Sequence, residues 1–231
     1  MKKCLILSIT SSWEPYANLM KVSMDTWDSV QQEGIETVFY CDGNKPNTDR
    51  VIYFNLSTDI FKAGYKTLAA FEWALKNKEW DYLCRPQANA YIHKKELIKH
   101  IQDIPDSNVF EAIECSGPPR WRWGVAYVFS RDVIQKMVDN KDKWNHGMME
   151  DVALSDLADK LDVPYRNGKA CSINKELDGS WLCLAYGSES FKFKDFSEIN
   201  KGNGQFWYRC KQDHDRTQDE YVMRELFKHL K

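Results

Sequence analysis

In the stretch EWDYLCRPQANAYIHKKEL, residues 79 to 97, a polar break of Gln87, Ala88 and Asn89 separates two apolar runs. The first run reads as a short buried strand and the second leads into a helix, so the break falls at a strand's carboxyl end. In an open α/β sheet that end collects ligands, because loops and helix N-termini line the crevice there. The same three residues would also serve as a surface turn, and this stretch alone leaves both readings open.

Three other places carry residues able to do chemistry. GMMEDVAL opens a helical pattern with Glu150 and Asp151 in its first turn, where the helix dipole favours a carboxylate and keeps it ionised; the pair could equally do no more than start the helix. The segment SGPPRWRW sets Trp121, Arg122 and Trp123 in a loop ahead of Gly124, a residue that lets backbone come close to a ligand. One of those indoles is expected in the core. Thr10, Ser11 and Ser12 close the first apolar run and Asp42 follows the second, where nucleotide-binding α/β folds seat a base and ribose, or where ordinary turns occur.

The elements that must position these residues follow from periodicity. CLILSIT is a mostly apolar run, as expected of a strand covered on both faces, and ETVFYCDG and VIYFNL are two more. NLMKVSMDTWDSVQQ spaces Leu19, Val22, Met24, Trp27 and Val30 on one helical face, with Gly34 as the stop. AGYKTLAAFEWALKNKEW is an amphipathic helix with its lysines outward. SNVFEAIEC and GVAYVFS are further strands, Ser130 is placed to cap the helix after it, and MMEDVALSDLADKLDVPY is another amphipathic helix. The tail from 167 reads as irregular until a terminal helix in QDEYVMRELFKHL. Strands alternating with helices predict one α/β domain over 1–231, with a mostly parallel central sheet flanked by helices.

Composition excludes several classes. A net charge of −2 over 231 residues offers no basic field for nucleic acid or an anionic membrane. Seven cysteines stand singly, with no metal-finger spacing, and are expected to be reduced thiols. MKKCLILSITSSWEPY mimics a leader peptide, but its apolar run is too short to span a bilayer.

Five segments in order, KVSMDTWDS, DIFKAGYKTLAAFEWALKN, WDYLCRPQANAYIHKKEL, WRWGVAYVFSRDVIQKM and MEDVALSDLADKLDVP, resemble the inverting GT-A-fold glycosyltransferases of the β-1,3-galactosyltransferase and Fringe type. Together they cover roughly residues 18 to 165. The resemblance implies a Rossmann-like GT-A fold, with residues 1–100 binding a nucleotide-sugar, a UDP-sugar foremost, and residues 101–231 binding a glycan acceptor and closing with a C-terminal lid. It implies Asp151 as the general base with Glu150 beside it, and Trp121, Arg122, Trp123 and Gly124 as the acceptor lip. Thr10, Ser11, Asp42, Lys66, Arg85, Gln87, Asn89, Arg209 and Lys211 would serve the donor. In the family an Asp-any-Asp motif at the break holds Mn2+ or Mg2+; here Gln87, Ala88 and Asn89 bring no carboxylate, so Asn89 and the late His214 would hold a hard cation only weakly. Arg85, Arg122, Arg209 and Lys211 are then expected to stabilise the leaving diphosphate without metal, since guanidinium pairs bidentately with phosphate; Arg216 lies in the same basic tail. The alternative is an inactive sugar- or nucleotide-binding module of the same fold. Golgi members of the family carry an N-terminal anchor that is not seen here, which makes a cytoplasmic enzyme the expectation.

Overall fold

The computed structural model describes residues 1–56, 63–115, 121–201, 204–212 and 216–231. Strand β1 (Cys4–Ile9) lies between β2 (Ile35–Asp42) and β4 (Tyr82–Cys84), parallel to both, and β3 (Val51–Phe54) runs parallel beside β2. Beyond β4 come β7 (Trp121–Ser130), antiparallel to it, then β6 (Phe110–Cys115) and β8 (Tyr165–Asn167), giving the order β3-β2-β1-β4-β7-β6-β8. The central sheet is therefore mostly parallel, and both of its faces are covered.

Alternation along the strands divides the core in two. Cys4, Ile6, Phe39, Cys41, Tyr82 and Cys84 face one layer; Leu5, Leu7, Val38, Tyr40 and Leu83 face the other. The second layer is closed by α2 (Ala63–Asn77), α4 (Arg131–Asp139) and α5 (Glu150–Lys160). The first is closed by α1 (Tyr16–Asp25), α3 (Lys94–Asp103), α6 (Thr217–Leu230) and a second sheet. That sheet runs Phe191–Phe193, Trp181–Tyr186, Ala170–Lys175, Trp207–Arg209, Ala90–Ile92, which are β11, β10, β9, β12 and β5. Residues before and after position 100 share both sheets, so the chain folds as one domain.

Several expectations are corrected. The first helix stops at Asp25, because Thr26 leaves helical backbone angles and its hydroxyl donates back to Val22 O; Trp27 follows in a short 3-10 turn. Trp121 to Gly124 are not loop but the start of β7, paired with β6 at Cys115↔Trp121 and Ile113↔Trp123. The tail after 167 is a sheet, built of strands of three to six residues. Ser130 precedes α4 without capping it, its hydroxyl being spent on Val109. Cys171 and Cys183 are disulfide-bonded between β9 and β10, Cα atoms 5.8 Å apart, so the seven thiols are not all reduced. Among the described residues no helix is long and apolar enough to cross a membrane.

Candidate active site

The carboxyl ends of β1, β2 and β4 meet at one edge of the central sheet. The Ile9 N–H donates to Pro86 O at 2.9 Å and Ile9 bridges Gln87, so Gln87 extends the parallel sheet, and the break then turns at buried Ala88 and Asn89, with the Ala90 N–H donating to Gln87 O at 3.0 Å. Beside it, β12 pairs with β5 at Arg209↔Ala90, and the Cys210 N–H donates to Asn89 O at 2.8 Å. This pairing brings Arg209 and Lys211, 120 or so residues away in sequence, to the break. Arg209 ends β12 between buried Tyr208 and Cys210, and Lys211 follows directly after Cys210.

A cleft of about 300 Å³ opens here. Thr10, Ser11, Lys66, Arg85, Gln87, Asn89, Glu150, Asp151, Arg209 and Lys211, all singled out from sequence, line it together with Tyr16, Ala63, Met149 and Arg216. Among the described residues five cations, Lys66, Arg85, Arg209, Lys211 and Arg216, stand against the two carboxylates, so the cleft attracts anions. Helices α1, α2, α5 and α6 all begin at it. The N-cap residues of α5 and α6, Met149 and Arg216, make no capping side-chain hydrogen bond, which leaves positive helix ends directed at the ligand space.

Arg85 is buried and anchored on two sides. Its side chain is 1% exposed; Nη2 donates to Glu150 Oε1 and Nε donates to the Tyr40 hydroxyl at 3.3 Å. Thr67 completes the network, donating to Glu150 Oε1 at 3.0 Å, with the Tyr40 hydroxyl 3.1 Å away. Among the described residues, the buried Nη1 of Arg85 has no hydrogen-bond partner. A buried guanidinium with an unused donor at the wall of a cleft is poised for an oxygen ligand. Burial lowers its pKa, but the Glu150 carboxylate, Tyr40 and Tyr127 together outweigh this and keep it charged.

Gly124 of β7 lies against the same spot. A Cβ there would sit 2.8 Å from Gln87 Nε2, 3.6 Å from Arg85 Nη1 and 3.9 Å from Asp151 Cβ, so three predicted site residues converge where this glycine leaves room. Strand β7 also fixes the start of α5: Ser155 Oγ donates to Asp151 O at 2.7 Å and accepts the Arg122 N–H at 2.8 Å. Asp151, like Glu150, is half-buried. Burial first, and the Glu150 charge second, push its pKa above the usual aspartate range, overriding the helix dipole that led the sequence reading to expect the opposite. Glu150 is committed to Arg85 and Thr67, and the two carboxylates thereby have different tasks.

Asp42 stands behind the cleft wall, fully buried. Ser12 Oγ donates to it at 2.6 Å and Lys66 Nζ at 3.2 Å, and Lys66 also donates to Thr10 O at 2.7 Å. Burial pushes Asp42 up, but the Ser12 hydrogen bond and the Lys66 charge outweigh it and hold the carboxyl below its usual range. Lys66 is thus a buried wall residue, not an outward-facing lysine. Trp123 packs edge-on against Tyr186 at 5.7 Å and carries the Arg209 guanidinium 4.4 Å over its ring, so it acts on the cleft through Arg209. Trp121 is not among the lining residues. Arg122 is turned away, paired with Asp159 at 2.6 Å and lying over Phe110 and Tyr165.

A hard divalent cation needs several oxygen ligands, carboxylates foremost. At the break Ala88 is buried, Gln87 and Asn89 are neutral, and the nearby Glu150 is held by Arg85. His214 lies outside the described residues, and among the described residues no group of three or more His, Cys, Asp or Glu could hold a metal ion. These residues do not fit Mn2+ or Mg2+. Sequence reasoning missed Tyr40 and Thr67, although Thr67 lies next to Lys66 in the YKT segment; their signal exists only once the strand and helix are packed.

No family model and no curated protein matches the sequence. Among solved structures the chain is similar to a glycosyltransferase involved in the glycosylation of the major capsid of PBCV-1, with a TM-score of 0.53 and 12% identity over 96% of this chain and 98% of that one. S. aureus TarS (TM-score 0.42, 15% identity, 68% of this chain and 33% of that one) and the glycosyltransferase GlyE of Streptococcus pneumoniae TIGR4 (0.44, 11%, 72% and 45%) match over less than half of their own lengths, too loosely to carry an argument. At 12% identity the likeness speaks of architecture. This chain has the fold of a glycosyltransferase, a mixed α/β domain on a mostly parallel sheet, with its anion-attracting cleft at the carboxyl edge of that sheet.

Proposed function

We propose that the chain transfers a sugar from a nucleoside-diphosphate sugar, a UDP-sugar first among them, to a glycan hydroxyl with inversion at the anomeric carbon. The observation that carries this reading is the juxtaposition at Gly124 of a carboxylate with raised pKa, Asp151, and a buried guanidinium with an unused donor, Arg85. The acceptor O–H gives its proton to Asp151 while its oxygen forms a bond to the anomeric carbon. The bond from that carbon to the diphosphate breaks on the opposite face, and the electron pair leaves on phosphate oxygen. Arg85, the Gln87 amide, Arg209 and Lys211 offset this charge in place of a metal ion. Thr10, Ser11 and the Asp42–Lys66 pair behind them would hold the nucleoside.

Thermal denaturation with UDP, GDP, CMP and dTDP and their sugars, each with Mn2+ and with EDTA, tests the reading. At a hundred times its dissociation constant a ligand stabilises by about 2.7 kcal/mol, which is roughly 5 to 10 °C for a domain of this size. One nucleoside diphosphate is expected to give that shift equally in both conditions. Stabilisation only with Mn2+ would sink the cationic mechanism, and binding without any turnover of the nucleotide-sugar would leave a sugar- or nucleotide-binding module instead.

Gly124→Ala is expected to cost little stability but to push the Gln87 amide out of place. A misplacement on the order of 1 Å near the chemistry costs about 10²-fold in rate. Turnover of the donor identified above measures it; an unchanged rate would remove Gln87 from the mechanism.

A further inference from the structure

On the transferase reading, we propose that Tyr65, held flat on His146, is the platform on which a pyranose ring of the acceptor stacks. Tyr65 lies on the first turn of α2 between two cleft-lining residues, Ala63 and Lys66, yet it is 44% exposed. Its ring lies parallel to the His146 imidazole, centroids 3.5 Å apart and planes 6° apart. His146 in turn stands on the segment that leads through Met149, a cleft-lining residue 53% exposed, to Asp151. The platform thus joins the two segments that carry the cleft's cationic wall and its base.

The stack is braced from behind. Buried Trp144 lies 6.4 Å from His146, and Gly64 packs so closely on it that a Cβ would come within 2.8 Å of Trp144 Nε1. An aromatic ring fixed in place before the ligand arrives loses little conformational freedom on binding. With the imidazole covering one face of Tyr65, the phenol offers a ligand its other face, flat and apolar with a polar edge, which suits a ligand whose faces are C–H and whose rim is hydroxyl. Burial holds His146 below its usual pKa, so the stack is uncharged at neutral pH. A diphosphate gains nothing there and is drawn to the cations; an uncharged sugar ring is what this surface can favour.

Saturation-transfer NMR on the full chain, with a panel of methyl hexosides as probes, tests the platform, and the nucleotide-induced thermal shift is measured on the same samples. At least one methyl hexoside is expected to bind with the protons of its apolar face most saturated. Tyr65→Ala is expected to weaken that binding about tenfold, the size of one good stacking contact, and Tyr65→Phe to retain it. If no hexoside binds, or if Tyr65→Ala binds like the parent, the platform is overturned. A nucleotide shift that persists in either case keeps the transferase reading standing, and its absence brings that reading down separately.

Discussion

Asp151→Asn is expected to lower kcat by about 10²- to 10⁴-fold while leaving nucleotide binding intact, the range that a positioned general base supplies. Asn keeps the shape and cannot accept the proton. The pH profile gives a second readout. Because burial and then the Glu150 charge raise the Asp151 pKa, the acidic limb of kcat/KM is expected above the ordinary aspartate range, with the rate rising as the carboxyl ionises. Glu150→Gln removes the like charge and is expected to move that limb to lower pH. Stability separates a lost base from a lost fold. A folded-state pKa above the unfolded one means that the carboxyl favours folding when protonated, a contribution lost as pH rises through the folded value. At neutral pH the Asp151 charge therefore opposes folding, and Asp151→Asn should melt no lower than the parent. A variant that melts markedly lower and loses nucleotide binding as well would contradict this assignment.

Arg85→Ala is expected to abolish nucleotide binding and to destabilise the protein by about 3 to 5 kcal/mol, the usual cost of removing one partner from a buried ion pair. The cost arises because Glu150, with its side chain 10% exposed, is left charged with, among the described residues, Thr67 donating to it. For a domain of this size that corresponds to roughly 6 to 20 °C in Tm. The double variant Arg85→Ala with Glu150→Gln removes the stranded charge and is expected to recover much of the Tm, since the two residues share one interaction. It should not recover nucleotide binding. Recovery of both in the double variant would show that Arg85 only holds the helix in place.

How much of this was legible in the sequence depended on how local the cause was. β1 could be read from CLILSI because a strand covered on both faces is a continuous apolar run. α2 could be read from its apolar stripe, and the break at Gln87 from the change to polar residues. Trp121 and Trp123 misled because a Pro-rich, Trp-rich segment looks like a loop, whereas pairing with β6 makes them strand. The short strands after 167 contain too few residues for a period to show, and their partners lie elsewhere in the chain.

The sequence by itself determined the class of the fold, the order of its strands and helices in the first half, and an inventory of donors and carboxylates able to act on an anionic ligand. Only the tertiary structure decided how that inventory is used. Arg85 and Glu150 are 65 residues apart, and nothing local says that they pair, that Thr67 and Tyr40 seal the pair, or that Arg122 is spent on Asp159. The two neighbouring acids of α5 look alike in sequence. They differ because one meets a buried guanidinium and the other meets burial and its neighbour's charge, and both effects come from atoms that folding brings within a few ångströms.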